Sequence, residues 1–74
     1  MERECAKKIA AGLDRLADEL NALGLAVEEI AEESERKIFR RLIARLMAGE
    51  YADMCRAIGR RFPDLDPLAR RLNS

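Results

Sequence analysis

Five carboxylates, Glu28, Glu29, Glu32, Glu33 and Glu35, fall within eight positions, and Arg36, Lys37, Arg40 and Arg41 follow directly behind them. The pair Glu29-x-x-Glu32 has a counterpart in Glu50-x-x-Asp53. Two such pairs supply four hard oxygen donors, the ligand type that Mg²⁺ requires. Other catalytic chemistry has little to work with. The chain contains no His, so the commonest general base and metal ligand near neutral pH is missing. Cys5 and Cys55 stand fifty positions apart and make neither a close-spaced metal pair nor a disulfide framework. They read as reduced thiols that pack as small hydrophobes. Ser34 falls on the inner stripe of a helix with no base to activate it.

The paired acidic motif resembles that of the all-α nucleotide pyrophosphohydrolases of the MazG type, in which four carboxylates hold Mg²⁺ against a nucleotide's phosphates. The resemblance extends over residues 29–53 and implies Glu29, Glu32, Glu50 and Asp53 as ligands. Helix geometry opposes it. The 21 positions from Glu29 to Glu50 span roughly 30 Å at 1.5 Å per helical residue, while Mg²⁺ ligands lie about 2.0 to 2.1 Å from the ion. Only a break within "SERKIF" or an antiparallel pairing of two chains brings the acids together. A simpler reading is a polarised helix, with acids at its positive start and cations at its negative end. Glu32 with Arg36 and Glu33 with Lys37 then form i,i+4 pairs in the favourable orientation. No catalytic, cofactor-binding or metal-binding residue is assigned on this reading.

The cations form the second cluster. Lys37, Arg41 and Arg45 recur at helical steps, with Arg36 and Arg40 beside them, and Arg56, Arg60, Arg61, Arg70 and Arg71 follow. Lys37, Arg40, Arg41 and Arg45 are the residues that would contact an anion or nucleic acid. The pI near 6.3 and the lack of aromatic residues on that face weigh against a nucleic-acid surface. Net charge is zero but segregated: residues 1–35 hold ten acids and four bases, and residues 36–74 hold ten bases and four acids. Polarity of this kind can orient partners or subunits.

The elements that must carry these groups are helical. A chain rich in Ala, Leu, Glu and Arg, with three aromatic residues (Phe39, Tyr51, Phe62), favours helix throughout. Seventy-four residues make a single domain, 1–74, of a size at which small folds often add a second subunit. The spacing predicts helices over about 2–23, 26–48, 50–61 and 67–72. In the first, Ala6, Ile9, Leu13, Leu16, Leu20 and Leu23 form a heptad stripe. Gly24 and Leu25 match a Schellman stop, the alternative being one long helix through Gly24 at a cost of roughly 1 kcal/mol. In the second helix, Ile38 with Phe39, Leu42 with Ile43 and Leu46 with Met47 make a face wide enough to need two neighbours. Gly49 ends that helix. A third carries Tyr51, Met54, Cys55, Ile58 and Phe62 before Pro63, and Asp66 with Pro67 opens a short last one carrying Leu68 and Leu72.

These expectations converge on an all-α antiparallel helical hairpin with a C-terminal helical extension, paired into a dimeric four-helix bundle with coiled-coil packing. Its interface is expected at Leu13, Leu16, Leu20, Phe39, Leu42 and Leu46. The expected function is non-enzymatic protein-protein interaction, as an adaptor or regulatory subunit, with a second copy of the chain or another protein as partner. A nucleic-acid-binding regulator is the alternative, and a Mg²⁺-dependent nucleotide hydrolase the third reading. With no apolar signal core at the N-terminus and no run of membrane-spanning length, a cytoplasmic location without membrane contact is expected.

Overall fold

Helix α1, Arg3–Val27, continues through Gly24, so the corner expected there lies further on. The computed structural model describes residues 1–72. The side chains of Arg70 and Leu72, expected on the basic ridge and on the terminal apolar edge, lie outside the described residues. Every regular element among the described residues is helical: α1 is followed by α2 (Glu33–Leu46), a kinked segment (Met47–Tyr51), α3 (Ala52–Arg61), a 3-10 turn (Pro63–Leu65) and α4 (Pro67–Leu72).

Burial explains why α1 passes its glycine. Its buried residues are Ala6, Ala10, Leu13, Ala17, Leu20 and Val27, and one further turn beyond Gly24 is what brings Val27 onto that face. Gly24 keeps a negative φ, and nothing lies within 4 Å of where its Cβ would be. The helix then tightens to a close, with Glu29 N–H donating to Ala26 O at 3.1 Å and Ile30 N–H to Val27 O at 3.0 Å. Such i,i+3 bonds satisfy carbonyls that a helix end otherwise leaves bare.

The start of α2 is set by Glu32, in extended conformation (φ −79°, ψ 121°). Its carboxylate accepts from Ser34 N–H at 3.1 Å and Glu35 N–H at 2.9 Å. This is the N-cap bond usually made by Ser, Thr, Asp or Asn, supplied here by a longer acid. The helix expected over 26–48 therefore begins seven residues later, at Glu33. At the far end the backbone leaves helical values at Gly49 (φ −93°, ψ −111°), where α2 meets the turn leading to α3.

The core lies between α1 and the C-terminal half. Ala6, Ala10, Leu13, Ala17 and Leu20 of α1 pack with Tyr51, Cys55 and Ile58, and Met47, Phe62, Leu65 and Leu68 close its margins. Small side chains along α1 let the partner helix approach closely, which is why the buried stripe runs through Ala10 and Ala17. Ile9, Leu16 and Leu23, expected on that stripe, remain partly exposed along its flank. Leu13 and Leu20, expected at a subunit interface, are covered within the single chain, because α3 lies over them.

Polar straps hold the C-terminal half to α1. Arg71 donates from Nη2 to Asp14 O at 2.9 Å and to Asp18 Oδ1 at 3.2 Å, and Arg3 pairs with Asp64 while its guanidinium lies 5.6 Å from the Phe62 ring centre. Asp66 caps α4 by accepting from Leu68 N–H at 3.0 Å. Gly59 makes room for it, since a Cβ there would lie 2.5 Å from Asp66 Oδ2.

Candidate interaction surface

The acidic block is the natural first place to look for a site, and its members have structural work. Glu28 forms a two-point ion pair with Arg40, whose Nε donates to Glu28 Oε2 at 2.6 Å. That hydrogen bond holds the Glu28 carboxyl below its ordinary range and raises Arg40. Glu32 caps α2 and also accepts from the Ser34 hydroxyl at 2.6 Å. Ser34, then the backbone N–H groups of Glu35 and Ser34, lower its pKa. Glu33 pairs with Lys37 at 3.3 Å.

Of the four acids in the Mg²⁺ motif, Glu32 is the cap, Asp53 pairs with Arg56, and Glu29 and Glu50 are exposed. Between the two pairs stands α2, whose fourteen residues extend about 21 Å at 1.5 Å each. Among the described residues, no three acids or thiols gather where they could hold a metal ion.

The cations divide into two groups. Lys37 and Arg40 are engaged by acids of the same chain. Arg36 donates from Nη1 to Ile30 O at 2.9 Å across the α1–α2 turn. Arg41 and Arg45 point outward, with no ion pair among the described residues. The segregated charge seen in the sequence is thus partly matched inside the molecule, by Arg40 on Glu28 and Arg71 on Asp18.

The two thiols differ in setting. Cys5 is exposed, and Cys55 is fully buried beside Tyr51. Burial pushes the Cys55 thiol up. Burial also raises the Tyr51 phenol, to about 12, with the Cys55 thiol adding to the effect. The Tyr51 hydroxyl has no well-formed hydrogen-bond partner. Both groups are buried in the core cluster.

What stands without an internal partner is the apolar face of α2. None of this helix's side chains is buried. Ile38, Phe39, Leu42 and Leu46 are 45 to 54% exposed, and at 100° per residue they share one side of the helix. Ile43, Met47 and Arg36, on the adjoining side, are half-buried. Beside the kink at Gly49, an open hollow is lined by Leu42, Arg45, Leu46, Ala48, Gly49 and Glu50. Of the six residues expected at an interface, Leu16, Phe39, Leu42 and Leu46 are exposed, whereas Leu13 and Leu20 are core. Ile38 belongs with the exposed set, and its pairing with Phe39 in the sequence was the signal for it.

Dimensions point the same way. The molecule measures 46 × 21 × 18 Å with a radius of gyration of 14.4 Å, against about 11 Å for a compact domain of this length. Its accessible surface is 5434 Å², roughly 800 Å² above the value of about 4,600 Å² that size scaling gives for a compact 8.4 kDa monomer. No helix among the described residues is long and apolar enough to cross a membrane. Comparison with protein-family models, curated proteins and solved structures finds no match for the chain.

Proposed function

We propose that this chain is a non-enzymatic protein-protein interaction module whose working form is a homodimer. In this reading α1 and α2 form an antiparallel hairpin, α3 and α4 are its C-terminal extension, and two hairpins pair as a four-helix bundle. The observation that carries it is the uncovered face of Ile38, Phe39, Leu42 and Leu46, four large apolar side chains on a helix with no fully buried residue. Contiguous exposed apolar patches mark interaction surfaces. The surplus surface of about 800 Å² equals one partner's share of a standard interface. An adaptor or regulatory subunit acts through such a surface.

Leu42→Glu tests the reading. Leu42 is half exposed in the single chain, so the variant should keep its helical circular dichroism while sedimenting as a monomer. A folded variant that sediments like the parent would remove the α2 face from the interface. A second reading, a regulator that binds nucleic acid, is supported by Arg41 and Arg45, the two cations of the predicted set with no ion pair among the described residues. It requires retention on a polyanion column at low salt that Arg41→Glu with Arg45→Glu abolishes.

A further inference from the structure

We infer that two copies of this chain join through α2 in antiparallel register, with Glu35 of one protomer against the partner's Arg45 and Ile38 against the partner's Leu42. This rests on the homodimer reading above and adds to it an orientation and a register.

Glu35, Ile38, Leu42 and Arg45 follow one another at steps of three, four and three, the a and d positions of a coiled-coil seam. Read from either end, the seam runs charge, apolar, apolar, charge, with the charge sign inverted between the ends. A two-fold axis across its middle therefore sets each acid on a base and each apolar side chain on an apolar one. The contact is self-complementary and closed, as an isologous interface requires.

The same register sets what meets on the two flanks of the seam. Phe39 and Leu46 both lie at e positions, on one side of the seam, and antiparallel helices bring e against e. Phe39, one position from the axis at residue 40, then meets the partner's Phe39, so Ile38, Phe39 and Leu42 all gain apolar neighbours. On the other flank Arg41 meets the partner's Arg41, a like-charge contact at the exposed rim, where solvent and salt screen it. Parallel pairing would instead stack Glu35 on the partner's Glu35 and Arg45 on the partner's Arg45.

The single chain leaves the required charges available. Glu35 and Arg45 are exposed, and neither is in an ion pair among the described residues, whereas Glu28, Glu33, Lys37 and Arg40 around them are paired. The hollow beside Arg45 gives an incoming carboxylate room. Arg45 lies ten positions beyond Glu35, about 15 Å along the helix, so the ionic contacts sit at the two ends of the seam. There they select orientation, and the apolar centre supplies the association.

Charge reversal with exchange tests the register. Glu35→Arg and Arg45→Glu each replace two attractive contacts by two repulsive ones in the homodimer. Each should weaken dimerisation by about tenfold to a hundredfold, on the strength of exposed ion pairs. An equimolar mixture of the two single variants should form a heterodimer with both contacts attractive, and the double variant Glu35→Arg/Arg45→Glu should regain parental affinity. Sedimentation velocity reads the masses, and circular dichroism checks that each variant is folded. Single variants that dimerise like the parent overturn the register and leave the homodimer standing. Single variants that weaken without rescue in the mixture or the double variant overturn the antiparallel pairing. A parent that is monomeric at every concentration overturns both.

Discussion

At the scale of single residues, Tyr51 is where the core has a titratable weak point. Its phenol is raised from 10.0 to about 12 by burial, with the Cys55 thiol adding to it. Below pH 10 both folded and unfolded chains keep the proton. Between pH 10 and about 12 the unfolded chain loses it first, so stability falls across that window by roughly 2 to 3 kcal/mol for a shift of about two units. Denaturant melts in that range should show the fall, and Tyr51→Phe should flatten it. The same variant should be at least as stable as the parent at pH 7, since it removes a buried hydroxyl without a well-formed partner. On the acid side, Glu28, Glu32 and Asp64 are lowered by hydrogen bonds to Arg40, Ser34 and Arg3 respectively. Their contribution is present above pH 4.5 and is lost as pH falls through their depressed values. Gly59 makes a separate prediction. A methyl group there meets the Asp66 side chain, so Gly59→Ala should cost about 1 to 3 kcal/mol through overpacking. An unchanged melting temperature would mean that α4 does not cap against α3 as described.

At the scale of elements, the informative position is Gly24. Local sequence marks it as a helix stop, because Gly followed by a hydrophobic residue suits the left-handed cap. That signal loses to two effects that local patterning conveys poorly. Val27 gains burial if the helix runs one turn further, and Glu32 supplies the cap that "GLAVEE" lacks. The first is tertiary, and the second uses a residue seldom found at N-cap, although it lay in plain view in the acidic block. Gly24→Ala separates the two conformations. In a continuous helix with open space at the Cβ position, it should stabilise by about 0.4 to 1 kcal/mol, whereas a left-handed corner would make it destabilising. The helical class itself was legible from composition and from the scarcity of β-branched residues. The buried stripe of α1 was legible in part: Leu13 and Leu20 were read as apolar anchors, but whether their cover is α3 or another chain is not a local property. Ile9, Leu16 and Leu23 were displaced from the core for the same reason, since the closest approach of α3 follows the alanines. The wide face of α2 was the most readable feature of the candidate site, because adjacent apolar pairs cannot all turn toward one neighbour.

At the scale of the whole molecule, charge and shape support one account. The acidic first half and the basic second half are partly neutralised within the chain by Arg40 on Glu28 and Arg71 on Asp18, and on α2 Glu35, Arg41 and Arg45 are left to act outward. The proposed dimer would cover Ile38, Phe39 and Leu42, exposed on an elongated body of 46 Å. Stability should accordingly depend on protein concentration, as for any association that favours the folded state. The central claim is self-association, and the most direct test is the mass of the parent protein in solution by sedimentation equilibrium over a wide concentration range. The account predicts twice the chain mass of 8.4 kDa, falling toward the single-chain value on dilution. A folded protein of single-chain mass at every concentration would contradict it.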